Sequence, residues 1–183
     1  MMSSADGRLH DAADSAATKD PDEHVLCYLV CPQDASGAFV GALMLTDGRA
    51  RPLHFGYVAR IKPTPIQRVL YGPTLREHVK IDVIARKLFQ GIPQAPDVVF
   101  VDSEELLSAR RLTSAPLAYL SKRKGEQDDP ASLSALVYKT DESTEDRDGV
   151  GNVIALLESQ IDLVEPFERM IEALKETMKA EGN

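Results

Sequence analysis

The sequence predicts an α/β fold with a mixed sheet, in which an antiparallel β-meander is followed by alternating helices and strands, with helices on both faces. Three observations predict it. Three strand-length apolar segments come first, a helical pattern then covers residues 74–90, and a β-branched run at 96–102 follows that helix. Consecutive strands followed by alternating helices and strands are typical of a mixed sheet with helices packed on its faces.

The composition fits one soluble domain. The chain has 183 residues, 43% of them hydrophobic, which is enough to build a substantial core. The longest apolar runs are well short of the roughly 20 residues of a membrane span, and the start of the chain lacks the apolar segment of a signal peptide. We therefore expect a cytoplasmic protein with no membrane partner. Residues 1–23, rich in Ala, Asp and Ser, are expected to form a disordered leader, and residues 24–183 a single α/β domain.

The first three predicted strands lie within residues 25–61. The run HVLCYLVC is almost continuously apolar, as in a buried central strand. AFVGALMLT and PLHFGYVARI follow it, separated by a turn that contains Asp47 and Gly48. We expect these segments to form the antiparallel meander, and PDVVFVD to pair in parallel with the first strand after a helical crossover.

The crossover is predicted to be a helix over residues 74–90. Its apolar positions recur at four-residue steps: Leu75, Val79 and Val83. Thr74 is predicted to be its N-cap, with Glu77 completing a capping box. The preceding segment, KPTPIQRVLYGP, contains three prolines and is predicted to be irregular or a single turn.

Further helices and strands are predicted after residue 102. SEELLSARRL is predicted to be a helix, APLAYLS and SALVYKT to be strands, and two more helices to close the chain. This order of elements is the one found in ribonuclease H-like folds.

The segment PDVVFVDSEELLSARRLTSAPLAYL resembles the central motif of the endonuclease V family, which has a ribonuclease H-like fold. In that family a strand ending in PD, an apolar stretch and VDG is followed by a helix that carries HPRRLG. The matching positions are Pro96, Asp97, Val101, Asp102, Arg110, Arg111, Leu112 and Ala115. Tyr71 and Pro73 lie near the place of the family's tyrosine–proline wedge, and residues 159–174 resemble its last helix.

The sequence departs from that family at most of its catalytic positions. Ser103 replaces the glycine of VDG, and the run VLCYLVC, where a metal-binding aspartate is expected, contains no acid. Of the family's metal ligands, Asp102 is the one retained, and Glu77 is displaced by a few positions from the catalytic glutamate. An active nuclease would use Asp102 with Glu77, Glu104 or Glu105, and Mg²⁺ or Mn²⁺ as its cofactor; the candidate catalytic residues are then Asp102, Glu77 and Glu105.

The chemistry of phosphodiester cleavage favours the inactive alternative. Two-metal cleavage needs several carboxylates that converge on ions about 4 Å apart. A single carboxylate holds Mg²⁺ poorly. We therefore expect no cofactor and no metal site, with Asp102 as a ligand only if the chain is active. Asp102, Glu104 and Glu105 could instead stabilise the start of the helix that follows them.

Basic residues are concentrated in the middle of the chain. Residues 49–124 contain 14 basic and 6 acidic residues, although the whole chain has a net charge of -8. Such a segment could form a cationic groove that follows the phosphates of DNA or RNA. The candidate nucleic-acid-binding residues are Arg60, Lys62, Arg68, Arg110, Arg111, Lys122 and Arg123. The alternative is a solvated surface with ion pairs, in which Arg110 and Arg111 pair with Glu104, Glu105 or the acidic segment 141–148.

Three functions remain open at this point. The first is a non-catalytic, endonuclease V-like subunit that binds nucleic acid, a partner protein, or both, within a larger complex. The second is a divergent metal-dependent nuclease. The third is a protein-interaction module without a nucleic-acid ligand, which would dock through its acidic tail and last helix.

Overall fold

Six strands form one mixed sheet in the computed structural model, which describes residues 20–122, 136–140 and 144–181. The strands are β1 (Leu26–Val30), β2 (Phe39–Thr46), β3 (Pro52–Ile61), β4 (Val98–Val101), β5 (Leu117–Lys122) and β6 (Leu136–Thr140). Their order across the sheet is β3-β2-β1-β4-β5-β6.

The pairing directions confirm the expected topology. β1 pairs antiparallel with β2, and β2 with β3, so residues 25–61 form the meander. β4 lies parallel to β1, with Leu26 opposite Val98, and β5 lies parallel to β4. β6 closes the sheet in the antiparallel direction. This order and these directions make the fold α/β and ribonuclease H-like.

Helices follow the strands on both faces of the sheet. The described helices are the 3₁₀ turn Pro21–Glu23, α1 (Pro65–Tyr71), the 3₁₀ turn Gly72–Thr74, α2 (Leu75–Glu77), a π-helix (His78–Ala85), α3 (Arg86–Gln90), a 3₁₀ helix (Glu104–Leu112), α4 (Thr144–Leu157) and α5 (Glu165–Glu181). None of them has the length and apolar character that crossing a bilayer requires.

Successive side chains along each strand point to opposite faces of the sheet, and they form two separate hydrophobic cores. On one face, Tyr28 and Phe100 are fully buried beneath α4 and α5, and Tyr28 meets Phe167 of α5 edge-on at 5.2 Å between ring centroids. On the other face, the π-helix and the 3₁₀ helix Glu104–Leu112 cover Leu29 and Val99. Because β1 and β4 bury both faces, their sequences are continuous apolar runs instead of alternating ones.

The crossover differs from the regular helix predicted over residues 74–90. Eight residues, His78–Ala85, wind as a π-helix between the short helices α2 and α3. Thr74 makes no capping hydrogen bond, and the capping box lies ten residues earlier, between Thr64 and Gln67 at the start of α1. The proline-rich segment is therefore a helix, because Pro65 occupies the first turn, where its missing N–H costs nothing.

The end of the predicted leader is ordered against the β2–β3 turn. Residues 1–19 lie outside the described residues, but Pro21–Glu23 form a 3₁₀ turn whose Asp22 carboxylate pairs with Arg49. A side chain at Gly48 would clash with the Pro21 carbonyl, since a Cβ there would lie 1.7 Å from its oxygen.

One edge of the sheet collects the ends of four strands. β3 runs antiparallel to β2 and β2 antiparallel to β1, so β1, β3, β4 and β5 all point the same way. Their carboxyl ends meet at what we call the carboxyl edge. Open α/β sheets place their binding sites at this edge, in the crevices beyond the strand ends.

Gly41 allows the crossover to pack closely on the sheet, and substituting it tests that contact. A Cβ at Gly41 would lie 2.2 Å from Cγ2 of Ile84 in the π-helix. We expect Gly41→Ala to lower the free energy of unfolding by about 1–3 kcal/mol, because the π-helix must shift away from β2. Urea denaturation measures this.

Gly56→Ala is the matched control on the neighbouring strand. A Cβ at Gly56 meets chiefly the mobile end of His54, at 3.3 Å. We expect its free energy of unfolding to stay within about 0.5 kcal/mol of the wild type. Equal losses in the two variants would contradict the close packing of β2 against the π-helix.

Candidate functional site at the carboxyl edge

Asp102 lies at the carboxyl edge, directly after β4. Its backbone continues from Val101, which pairs with Leu29 of β1, so the carboxyl group lies beside the end of the central strand pair. The 3₁₀ helix that begins at Glu104 then turns the chain away from the sheet. Ser103 precedes that helix without a side-chain capping bond. Strand β4, through its pairing with β1, therefore determines the position of Asp102.

Lys80 supplies a buried cation at the same place. It belongs to the π-helix and is 7% exposed, although its neighbours Val79 and Ile81 already fill the core. Its Nζ donates a 2.7 Å hydrogen bond to Oε2 of Glu105. A buried ammonium without a counter-ion is strongly disfavoured, and Glu105 supplies that counter-ion for Lys80.

Lys80 also acts on Asp102, with which it forms no salt bridge within 4 Å among the described residues. Asp102 is exposed to solvent, yet desolvation of its carboxyl group by the surrounding protein raises its pKa to about 6. The positive charge of Lys80 works in the opposite direction and lowers the pKa of Asp102. Hydrogen bonds from Lys80 and Arg76 lower the pKa of Glu105.

Cys31 borders this cluster at the end of β1. Its Sγ lies 3.9 Å from the backbone carbonyl oxygen of Lys80. Burial raises the pKa of the thiol to about 12, and the negative charge of Asp102 adds to that effect. A thiol in this state is protonated at neutral pH and is therefore a poor nucleophile. Where the resemblance placed an acid, β1 therefore contributes apolar and thiol side chains.

Glu77 is oriented toward another partner. Its Oε1 accepts a 3.0 Å hydrogen bond from Nη1 of Arg111, whose Nη2 donates at 2.8 Å to Asp82. The structure thus pairs Glu105 with Lys80, whose charge also acts on Asp102, and it engages Glu77 in a separate ion-pair network with Arg111. Among the residues described here, no group of three His, Cys, Asp or Glu side chains is arranged to hold a metal ion.

Arg110 is a structural residue on the evidence of its contacts. Its Nε donates to the buried carboxylate of Asp146 in α4, and its Nη1 donates at 2.6 Å to the carbonyl of Thr113. The same Asp146 carboxylate accepts a 3.4 Å hydrogen bond from the amide of Leu117 at the start of β5. Arg110 and Asp146 therefore tie the 3₁₀ helix Glu104–Leu112, β5 and α4 together.

The other candidate nucleic-acid-binding residues fall into three groups. Arg60 pairs with Asp34, and Lys122 pairs with Asp162. Arg123 lies outside the described residues. Lys62 and Arg68 have no carboxylate within 4 Å in the part of the chain that the structure describes, and both are exposed. Most of the expected cationic groove is thus neutralised by the chain's own acids.

Lys80 is the central residue that the sequence analysis missed. The stripe chosen there ran through Leu75, Val79 and Val83, but Val83 is 36% exposed. The four-residue step through Lys80, Ile84 and Leu88 is the buried one. The sequence does contain a pattern that predicts a buried cation: Lys80 is followed at four-residue spacing by the aliphatic residues Ile84 and Leu88.

Comparisons with known proteins add a structural likeness. No protein-family model matches the chain. No curated protein matches its sequence. Among solved structures, Argonaute from Marinitoga piezophila in complex with a 5′-OH guide RNA is similar over 76% of this chain and 26% of that chain, with 14% identity and a TM-score of 0.35.

The same Argonaute in complex with 5′-OH guide RNA and target DNA is similar over 75% of this chain and 26% of that one, with 10% identity and a TM-score of 0.37. The chain therefore spans about a quarter of the length of the Argonaute chains that it matches. The description of the fold rests on the strand order and pairing directions given above.

The pKa of Asp102 leads to a measurable pH dependence. Because it rises from an ordinary value of 3.8 to about 6 in the folded state, the folded protein binds this proton more tightly than the unfolded chain. The contribution of Asp102 to stability therefore falls as pH rises from about 4 to 6. We expect NMR titration of the Asp102 carboxyl carbon to show a midpoint near 6, and Lys80→Gln to raise it further. A midpoint near 4 in the wild type would contradict this arrangement.

The contacts of Arg110 predict that its loss destabilises the fold. Arg110→Ala leaves the buried Asp146 carboxylate without its guanidinium partner, which should cost about 3 kcal/mol in the free energy of unfolding. Arg111 is 47% exposed, so Arg111→Ala is the control and should cost less than about 1 kcal/mol. Urea denaturation compares the two. A larger loss for Arg111→Ala would show that the roles are reversed.

Proposed function

We propose that the chain is a non-catalytic, ribonuclease H-like binding module. In this module the ammonium group of Lys80 takes the position that a divalent cation would need beside Asp102 and Glu105. The carboxyl edge is then a rigid, charge-balanced surface for a macromolecular partner, and it performs no metal-dependent phosphodiester cleavage. The proposal extends to a role as a subunit of a larger complex.

The single observation that carries the proposal is the 2.7 Å contact between Lys80 Nζ and Glu105 Oε2 at the end of β4. Carboxylates that bind Mg²⁺ or Mn²⁺ need an open space between them for the ion. Here a buried positive charge already satisfies Glu105 and faces Asp102. The residues present therefore do not fit a two-metal site, because a second cation would be repelled by the first.

The charges of the surface favour a protein partner over nucleic acid. Arg110 and Arg111, two of the candidate nucleic-acid-binding residues, are bound to Asp146, Glu77 and Asp82. Non-specific affinity for nucleic acid comes mainly from cations that are free to neutralise phosphates. The net charge of -8 opposes such binding further.

Nucleic-acid binding remains the second candidate, because Lys62 and Arg68 are exposed cations without an acidic partner among the described residues. If they contact phosphates, affinity for a single-stranded oligonucleotide falls steeply with salt in the wild type. Lys62→Ala/Arg68→Ala should then flatten that slope by about 1 to 2. A wild-type chain that does not bind the oligonucleotide at low salt would dismiss this candidate.

The proposal predicts that the protein neither cleaves nucleic acid nor binds Mn²⁺ tightly. Purified full-length chain is incubated with inosine-containing and single-stranded oligonucleotides in Mg²⁺ or Mn²⁺, and Mn²⁺ binding is followed by electron paramagnetic resonance. We expect no metal-dependent cleavage, because the Lys80 ammonium pairs with Glu105 and its charge acts on Asp102, so a divalent cation at these carboxylates would be repelled. Cleavage that disappears in Asp102→Asn would overturn the proposal.

Substitutions of Lys80 test whether its ammonium group is what prevents metal binding. Lys80→Glu exchanges the cation for a third carboxylate and should improve Mn²⁺ affinity at least tenfold, while Lys80→Gln removes only the cation and should have a smaller effect. Lys87→Glu, an equal charge change at an exposed lysine of α3, is the control. Equal Mn²⁺ binding by all of these variants and the wild type would contradict a blocking role for Lys80.

A further inference from the structure

Helix α1 projects from the carboxyl edge with its apolar side chains in water. Every residue from 64 to 74 is exposed, and α1 contains no buried residue. Ile66, Val69 and Leu70 are 71%, 82% and 77% exposed. Their spacing of i, i+3 and i+4 places all three on one face of the helix. Isolated exposed apolar residues are ordinary, but a helix whose complete apolar face is unburied is typical of a surface that docks.

Local interactions at its two ends specify helix α1, since none of its residues is buried in the core. Thr64 and Gln67 form a reciprocal capping box, with hydrogen bonds of 3.2 and 2.9 Å, and Pro65 fits the first turn. Gly72 ends the helix with a φ of 49°, a conformation that favours glycine. A helix of seven residues is marginal in water by itself, so these local devices show that its shape is specified before any partner arrives.

A ring contact fixes the far end of α1 relative to the site. Tyr71 stacks on His78 at the start of the π-helix, with ring centroids 4.2 Å apart and an interplanar angle of 16°. The same π-helix carries Lys80. The exposed face of α1 is thus anchored to the charged cluster at the carboxyl edge, and a preorganised surface of this kind loses little conformational entropy on binding.

The unpaired charges beside α1 define what would cover it. Most described lysines and arginines have a carboxylate partner, but Lys62, just before the helix, and Arg68, within it, have none within 4 Å in the described ranges. A groove that buries the three aliphatic side chains would therefore gain from carboxylates at its rim. Such pairing of opposite potentials steers association and selects partners.

We infer that α1 is a docking helix for a partner protein that offers an apolar groove rimmed by Asp or Glu side chains. The inference rests on the proposed binding function and names the partner class for the carboxyl edge. Helix-in-groove recognition uses anchors at the spacing of Ile66, Val69 and Leu70. Nucleic acid would satisfy Lys62 and Arg68 but leave those aliphatic side chains in water. A second copy of the chain would bring like charges together.

Site-specific crosslinking tests the inference. The full chain carries a photo-crosslinking amino acid at Val69 or, as the control, at Leu53, which is a 50% exposed residue of β3. After irradiation in the cells that make the chain, the product is identified by mass spectrometry and the captured protein is purified. We expect a protein crosslinked from position 69 and not from 53, through a segment that contains apolar and acidic residues.

Affinity measurements with that purified protein decide the result. Ile66→Gln/Val69→Gln/Leu70→Gln should raise the dissociation constant at least tenfold while leaving the melting temperature unchanged, because these three side chains are largely exposed to solvent. Lys62→Ala/Arg68→Ala should raise the dissociation constant severalfold at low salt and make the affinity less dependent on salt. Lys87→Ala/Arg147→Ala, which removes two exposed cations away from α1, should change neither.

Four outcomes would overturn the inference: a crosslink to a second copy of the chain, a crosslink to nucleic acid, no preference of position 69 over 53, or affinity that the α1 variants leave unchanged. The proposed function fails separately, through metal-dependent cleavage that requires Asp102. A chain that docks through α1 and also cleaves nucleic acid would therefore retain this inference and lose the proposed function.

Discussion

The parallel pairing of β1 with β4 is the constraint on which the rest of the structure depends. Parallel neighbours need a crossover between them, and here residues 62–97 supply it on one face of the sheet. At the opposite edge, the amide of Val25 donates a 2.7 Å hydrogen bond to the Asp97 carboxylate and helps hold the two strands in register. The pairing therefore places three features at the carboxyl edge: the projecting helix α1, the π-helix with Lys80, and Asp102.

The charges at that edge are balanced within the chain. Lys80 and Arg76 share Glu105, Arg111 bridges Glu77 and Asp82, and Lys139 of β6 pairs with Glu104. Exposed pairs of this kind contribute little to stability individually. In the proposed binding module they engage most of the carboxylates and cations of that edge, which would otherwise be open to a metal ion or to phosphates. What remains for binding is the apolar face of α1 with Lys62 and Arg68.

The sequence predicted the sheet well because burial leaves a direct signal in strands. β1 and β4 are covered on both faces, and their unbroken apolar runs could belong only to central strands. The crossover was predicted less well. Periodicity assumes 3.6 residues per turn, whereas His78–Ala85 form a π-helix in which Lys80 is buried and Val83 is 36% exposed. The capping box at Thr64 lies in a segment with three prolines. Because prolines favour irregular chain, the sequence predicted no helix there.

The sequence predicted the acidic residues of the candidate site, Asp102 and Glu105, but it did not predict the buried cation Lys80. Asp102 follows the clearest strand of the sequence, so its place at the carboxyl edge could be derived, and Glu105 follows it closely. The partners of Arg110 and Arg111 could not be chosen from sequence alone, since pairing across 29 to 36 residues depends on the fold. The role of Lys80 depends on the same long-range contact, because Glu105 lies 25 residues away in the chain.

A crystal of the protein soaked in manganese chloride tests the central claim most directly. The claim is that the Lys80 ammonium holds the position between Asp102 and Glu105 that a divalent cation would require. The account predicts an anomalous difference map without a manganese peak at these carboxylates, and Lys80 Nζ still hydrogen-bonded to Glu105. A manganese ion at bonding distance from Asp102 and Glu105, with the Lys80 side chain displaced, would contradict it.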